Sequence, residues 1–395
     1  MSYKKVYLKP KKEESLKRFH PWIFSGAISR IDGVPEEGEI VEVYDAQKNF
    51  LAIGHCQIGS IAVRVLSFQN EAIGISFWEN RFRKAYALRE RLNLAGNPQN
   101  TIFRLIHGEG DDLPGLIVDI YGDTAVMQAH SPGMHFARKE LATALVKALG
   151  EKIKNVYYKS ETTLPYKAGL EAVNEYLIGG DSIDTVSLEN QLRFHTDWEK
   201  GQKTGFFIDQ RENRMLLERY AKDKNVLNMF CYTGGFSVYA LQGGAKEVHS
   251  VDSSGKAMAL TNQNIALNFP ECENHFSYTE DAFKFLENMD ERFDLIILDP
   301  PAFAKHRNVL KNALQGYKRL NALAFEKIKP GGIVFTFSCS QAVSRENFRS
   351  AVFGAALQAG RNVKILHQLT QPGDHPINIY HPEGEYLKGL VLEVS

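Results

Sequence analysis

The chain has no run of about 18 apolar residues, so a membrane-spanning helix is not expected. Its opening, MSYKKVYLKPKK, lacks the apolar stretch of a secretory signal, which points to the cytoplasm. Cysteine is scarce: Cys56, Cys231, Cys272 and Cys339 stand far apart with no C-x-x-C pair. That spacing supports neither a zinc site nor a disulfide framework, and no bound metal is expected. In a reducing compartment each thiol is either a small buried hydrophobe or a nucleophile. Net charge is missing too, since 47 basic and 47 acidic side chains cancel. This argues against a protein that coats nucleic acid indiscriminately. Absent as well is G-x-G-x-x-G between a strand and a helix, the pattern that seats a pyrophosphate on bare amides.

What is present is a soluble, globular composition of 44% hydrophobic and 24% charged residues in 395 positions. That length suggests two or three domains. Basic residues cluster twice, at Lys4, Lys5, Lys9, Lys11, Lys12, Lys17 and Arg18, and at Arg81, Arg83, Lys84, Arg89 and Arg91. Such clusters either neutralise phosphates or form a solvated face.

The most informative stretch is NVLNMFCYTGGFSVYALQGGAKEVHSVD, residues 225 to 252. Val226 to Phe230 reads as a strand, Tyr232-Thr233-Gly234-Gly235 as a turn, Phe236 to Leu241 as a helix and Glu247 to Val251 as a second strand. Glycines let backbone amides approach a ligand, and a helix beginning there directs its positive end at the same place. Asp252 closes the second strand, where units of this kind set a carboxylate on a ribose. Tyr232 and Thr233 occupy positions where a pyrophosphate binder needs glycine. The weight therefore moves from NAD toward S-adenosylmethionine.

Alternation of strand and helix continues to the end of the chain, with strands at 275–279, 293–298, 333–337, 363–369 and 387–394, and helices at 256–268, 281–286, 311–328 and 345–359. This implies a doubly wound, mostly parallel sheet whose ligand crevice lies at the carboxyl ends of the strands. Two motifs fall there. Asp299-Pro300-Pro301 is a rigid turn stripped of two amide donors, with Asp299 placed to hydrogen-bond a base edge and Phe303 to lie against its ring. Cys339, between Ser338 and Ser340, ends the next strand. Its thiol fits addition to carbon 6 of a pyrimidine, which makes carbon 5 nucleophilic. Either motif could instead be structural, a plain turn or a buried cysteine. Cys231, inside the cofactor turn, is read as packing.

Residues 1 to 72 read as a small β-rich domain with strands at 5–8, 40–44, 50–57 and 62–68. Phe19, Trp22, Ile23 and Phe24 are expected in its core, with Arg18 and His20 facing outward. KKEESLKRFHPWIFSGAI, GEIVEVYD and FLAIGHCQ make it resemble a PUA domain, a pseudo-barrel that binds structured RNA. Residues 73 to 195 read as an amphipathic helix, Ile75 to Leu94, with its arginines on the polar face, followed by an α+β module. Strands are expected there at 102–106, 116–121, 125–129, 156–159 and 188–196, with one helix at 135–149. Asp111 and Asp112 read as a loop, and an exposed strand of this module offers pairing with a second copy of the chain.

Taken in order, KTGFFIDQREN, LNMFCYTGGFSVYAL, DPPAFAK, TFSCS, GDHPI and YLKGL resemble the bacterial ribosomal RNA cytosine-5 methyltransferases that carry an N-terminal PUA domain. The resemblance runs the length of the chain. It implies an α/β fold in which a Rossmann-like class I methyltransferase domain, residues 196–395, follows the PUA barrel and a strand-strand-helix-strand-strand middle module. It further implies S-adenosylmethionine as cofactor and ribosomal RNA as partner. By position, Asn228, Phe230, Tyr232, Gly234, Asp252, Asp281 and Asp299 would hold the cofactor, Asp281 meeting the adenine amine and Asp252 the ribose. Cys339 would be the nucleophile assisted by Asp299, with Pro300, Phe303, Lys203 and Arg211 toward the substrate. Position 302 is Ala where related sequences often have Lys, and Asn228 stands where many methyltransferases carry an acidic residue. Two other readings remain: methylation of a base nitrogen, for which DPPAF suffices, and an RNA-binding assembly factor without turnover.

Overall fold

The structure is a computed structural model that describes residues 3–165, 169–181, 183–304 and 306–395, with Arg307 described by its backbone alone. Lys305 of the DPPAFAK motif lies outside the described residues. The chain forms two compact units, one of Met1–Gln191, Thr196–Ile208 and Gly373–Gly384, the other of Leu192–His195, Asp209–Pro372 and Glu385–Ser395. Among the described residues no helix is long and apolar enough to cross a membrane.

In the first unit a six-stranded sheet runs in the order Trp22–Phe24, Ile61–Ser67, Phe50–Cys56, Ile40–Tyr44, Lys4–Leu8, Ile28–Asp32. Alternation decides what it buries: Val41 and Val43 point inward from Ile40–Tyr44 and join Val6, Leu8, Ile23, Val63 and Val65 in one core. The expected aromatic core is corrected by the same rule. In the three-residue strand Trp22–Phe24 only Ile23 turns inward, leaving Phe24 47% exposed and Phe19, before it, 50% exposed. Two strands of this sheet, Trp22–Phe24 and Ile28–Asp32, were not expected from the pattern.

The second sheet of this unit has five strands, ordered Asn174–Ile178, Asn155–Lys159, Thr124–Ala129, Leu116–Tyr121, Ile102–His107. Three strands therefore precede the helices and two follow, one strand more than the resemblance implied. Ser131 caps and Pro132 opens a short helix to Phe136, and a second helix runs Arg138–Leu149, where a single helix was expected. The strand expected over 188–196 divides into Val186–Glu189 and Leu192–His195, because Asn190 and Gln191 both take positive φ, 51° and 72°.

Arg89 also departs from expectation. On the helix Ile75–Arg91 it is fully buried rather than on the polar face, with a bidentate pair to Asp111 at 2.5 and 2.8 Å. Its Nε–H and the second Nη2–H donate to the carbonyls of Arg104 and Asp374. A guanidinium out of water needs its donors met, and these bonds satisfy four of the five.

The second unit is built on seven strands. In chain order they are Asn225–Met229, Glu247–Asp252, His275–Thr279, Leu295–Leu298, Gly332–Ser338, Val363–Leu369 and Lys388–Val394. Their order across the sheet is 3-2-1-4-5-7-6. The first five are parallel, and the seventh is antiparallel to both the fifth and the sixth. Near-continuous apolar strands such as Leu295–Leu298 are buried on both faces. Ile296 and Leu298 pack on the helices Leu310–Lys327 and Arg345–Ala359, whereas Leu295 and Ile297 pack with Leu217, Phe236 and Phe337. The strand order reverses between the first and fourth strands, which opens a crevice at their carboxyl ends.

Candidate functional site

The turn after the first strand carries positive φ at Phe230, Tyr232 and Gly234, 58°, 49° and 76°. Left-handed backbone at two residues with bulky side chains costs energy and persists where surrounding contacts hold it. Those contacts are visible. Asp252 accepts the Tyr232 amide at 3.0 Å and the Ser254 amide at 2.9 Å. Thr261 donates to the Tyr232 carbonyl, and the buried Asn264 donates to the Thr233 carbonyl while accepting the His195 amide. Gly234 admits no side chain, since a Cβ there would come within 2.7 Å of Thr261 Cγ2.

Around this turn lie the other residues expected to hold the cofactor. Asn228 is 1% exposed; its Nδ2 donates to Ser237 Oγ at 2.9 Å, while its Oδ1 is buried without a partner. A buried acceptor left open at the end of the first strand suits a ligand that brings a donor. Phe230 packs against the apolar core on one face of the sheet. Asp281 caps the helix Ala282–Asn288, accepting the Phe283 and Lys284 amides at 3.1 Å each, and is otherwise exposed. These residues fit S-adenosylmethionine, which would present an ammonium to acceptors, ribose hydroxyls to Asp252 and an adenine edge to Asp281.

Cys231 lies within the turn and is 6% exposed, its sulfur 3.4 Å from Met258 Sδ. Burial first, and the Asp252 carboxylate second, push its thiol up to about 12, so it stays protonated at neutral pH.

Asp299, half-buried beyond the fourth strand, accepts a 3.0 Å hydrogen bond from Gln210 Nε2, and Gln210 Oε1 in turn accepts from Asn213 Nδ2 at 2.6 Å. Pro300 is buried, and the Phe303 ring packs tilted by 38° against Tyr317, centroids 4.7 Å apart. Ser338, the last residue of the adjacent fifth strand, and Ser340, two residues beyond it, are 0% and 1% exposed. Ser338 Oγ donates to Tyr317 Oη at 2.9 Å, and Ser340 Oγ donates to the Ala304 carbonyl at 2.5 Å. Cys339, between these two anchored serines, is half-buried. The Asp-Pro-Pro loop and the Ser-Cys-Ser loop are thus tied to each other through Ser340 and through the Tyr317 ring.

Of the residues expected to meet substrate, Pro300 and Phe303 lie in this cluster. Arg211 opens the helix Arg211–Ala221 and is 2% exposed, which puts its guanidinium inside the unit. Lys203 belongs to the other unit, where its ammonium lies 4.7 Å from the Phe207 ring centroid. The sequence reading did not single out Gln210, Asn213, Asn264 or Lys388. Their signal was the motif KTGFFIDQREN for the first two and YLKGL for the last.

Comparisons with known proteins identify the family. Residues 6–68 match a PUA-like domain, and residues 161–376 match the S-adenosylmethionine-dependent methyltransferase family. A Ribosomal RNA large subunit methyltransferase I from Tolumonas auensis is 44% identical over 394 residues, 98% of each chain. One from Aeromonas hydrophila is 41% identical over 394 residues, again 98% of each. Among solved structures, a protein from Streptococcus mutans described as a SAM-dependent methyltransferase superposes with a TM-score of 0.83 over 100% of both chains at 22% identity. SMU.776, a methyltransferase complexed with SAH, superposes with 0.84 over 100% of both at 23%. The chain belongs to the family of the ribosomal RNA large subunit methyltransferase I proteins and is an S-adenosylmethionine-dependent methyltransferase with an N-terminal PUA-like domain.

Proposed function

We propose that the protein methylates carbon 5 of a cytosine in large-subunit ribosomal RNA, with Cys339 as a transient covalent nucleophile. The RNA class is supported by the names of the relatives and by the PUA-like domain. The chemistry rests on one observation: a half-buried cysteine held between two buried, hydrogen-bonded serines, just past the end of the strand adjacent to the one that Asp299 follows.

S-adenosylmethionine, when bound, supplies an electrophilic methyl group. The chain's own task is to make carbon 5 nucleophilic. The Cys339 thiolate adds to carbon 6 of the ring, and the electron pair displaced from the 5,6 double bond becomes available at carbon 5. Asp299, oriented by Gln210, hydrogen-bonds the base edge and stabilises charge at the ring nitrogen. Once carbon 5 is methylated, loss of its proton restores the double bond and expels the thiolate. Asn228, Asp252 and Asp281 hold the cofactor, with Phe230, Tyr232 and Gly234 shaping its turn. Residues 1–72 and 73–195 serve as the RNA-binding domain and the middle module.

Cys339→Ala is expected to abolish methyl transfer to ribosomal RNA while S-adenosylmethionine binds as before. RNA carrying 5-fluorocytosine should form a denaturation-resistant adduct with the wild-type protein, because fluorine at carbon 5 cannot leave as a proton does. Normal turnover by Cys339→Ala would sink the covalent route and leave methylation of a base nitrogen. No transfer of labelled methyl by the wild type would favour an assembly factor.

A further inference from the structure

The seventh strand brings a lysine against the loop that carries Cys339. Lys388 is directly opposite Ser338 in the antiparallel register. It is 5% exposed. Its ammonium donates to the Ser340 carbonyl at 2.5 Å and to the Val343 carbonyl at 2.8 Å. These acceptors lie one and four residues beyond the thiol. Both are neutral, and among the described residues no carboxylate is within ion-pair distance of Lys388.

A buried ammonium without a counter-ion is costly, and an apolar side chain would fill the same space more cheaply. Burial pulls Lys388 down to about 8, while negative charge on Cys339 is the largest influence that holds its proton on. The coupling is mutual, so the ammonium favours the thiolate equally. Other charged or titratable groups around the pair do not replace it. Glu385 helps to hold the proton on Lys388 less than Cys339 does, Arg345 opposes it, and the two pair with each other. Burial pushes the Tyr317 hydroxyl up to about 12, which keeps it neutral. Asp299, at the end of the neighbouring strand, is a carboxylate and opposes a second negative charge.

We propose that Lys388 is a positioning residue for Cys339: it pins the backbone following the thiol and supplies the positive charge against which the thiolate forms. The step it assists is loss of the S–H proton to solvent, leaving the electron pair on sulfur. Its catalytic consequence rests on Cys339 being the nucleophile. The charge coupling itself does not, and can be measured without RNA.

The test is the pH dependence of iodoacetamide alkylation of the full-length protein, read peptide by peptide so that Cys56, Cys231 and Cys272 serve as internal references. In the wild type the Cys339 midpoint should lie below that of a free thiol, about 8.5. Lys388→Met should raise it by about one unit or more, which lowers the alkylation rate near pH 7.5 by roughly tenfold. Lys388→Arg should keep the midpoint within a few tenths of wild type. A wild-type midpoint at or above the free-thiol value overturns the proposal even if Lys388→Met does not fold. An unchanged midpoint in a folded Lys388→Met protein does the same. Normal turnover in Cys339→Ala would remove the nucleophile assignment while leaving the alkylation result to judge Lys388 separately.

Discussion

Replacing Gln210 with leucine tests whether Asp299 acts from a fixed position. Gln210 is 3% exposed and links two groups, donating to Asp299 and accepting from Asn213. Leucine has nearly the same reach but neither function. Loss of the hydrogen bond to the charged Asp299 costs about 1.5–3 kcal/mol, and the Asn213 amide left without its acceptor costs about 1–3 kcal/mol more. Burial of the leucine side chain returns roughly 1 kcal/mol. The second cost falls on the folded state whatever the substrate, so after the return from leucine burial unfolding by urea should register a loss of up to about 2 kcal/mol. The first belongs to the site. If Asp299 must hold its orientation in the transition state, kcat/KM for methyl transfer should fall by roughly 10- to 150-fold, since each 1.36 kcal/mol is a factor of ten. Affinity for S-adenosylmethionine, measured by calorimetry, separates a displaced cofactor contact from a displaced substrate contact. A double-mutant cycle with Asn213→Ala isolates the relay, and a coupling energy near zero would mean that the three side chains act independently. Turnover within twofold of wild type in a stably folded Gln210→Leu protein refutes the orienting role.

Three further outcomes follow from other parts of the molecule. Gly234→Ala should weaken S-adenosylmethionine binding at least tenfold in calorimetry, because a Cβ at φ 76° is strained by about 1–2 kcal/mol and would press on Thr261 at 2.7 Å. Unaltered affinity would show that the turn tolerates reshaping. Arg89→Ala should destabilise the first unit by about 3–5 kcal/mol in chemical denaturation, since it strands the buried Asp111 carboxylate; a loss below 1 kcal/mol would contradict that burial. His55 is 4% exposed and burial lowers it to about 4, so it stays neutral in the fold. Between about pH 6.5 and 4 the unfolded chain therefore binds the proton that the folded chain refuses. Stability contributed above pH 6.5 is lost as pH falls, by up to about 3 kcal/mol. His55→Leu should flatten that part of the pH profile of thermal unfolding, and an unchanged slope would exclude His55 as its source.

The parts of this architecture legible in the sequence are those fixed by neighbours along the chain. A short apolar run, a glycine turn and a helix read directly as the strand-turn-helix-strand unit at 225–252, and the Asp-Pro-Pro and Ser-Cys-Ser motifs each mark a strand end by local residues alone. What the pattern hides is set by distant partners. Gln210 meets Asp299 across 89 positions, and Lys388 meets Ser340 across 48. Helical spacing assigned Arg89 to the polar face, yet it is buried because Asp374, 285 positions away, and Asp111 complete its hydrogen bonds. Asn190 and Gln191 contain no glycine to announce the turn that divides 188–196. Phe19 and Phe24 look like core in a small domain short of apolar residues, but strand alternation at Ile23 turns Phe24 outward, and Phe19 lies before that strand with its backbone at φ 61°.

Two cysteines follow the ends of parallel strands in the same sheet, and their surroundings differ in charge and in burial. Cys231 has the Asp252 carboxylate as its electrostatic neighbour and Met258 against its sulfur, so both charge and burial oppose ionisation. Cys339 is half-buried, with an ammonium beyond its loop and a serine on either side whose hydroxyl is committed elsewhere. The difference does not lie in the residue or in its place at a strand end. It lies in which strand is adjacent: the first strand has a parallel neighbour ending in a carboxylate that the cofactor turn requires, whereas the fifth has the antiparallel seventh, which enters from the opposite direction and delivers Lys388. An antiparallel last strand thus brings a side chain from the start of that strand to the carboxyl end of the sheet. That is where a charged group can act on the site without displacing any residue that holds the cofactor.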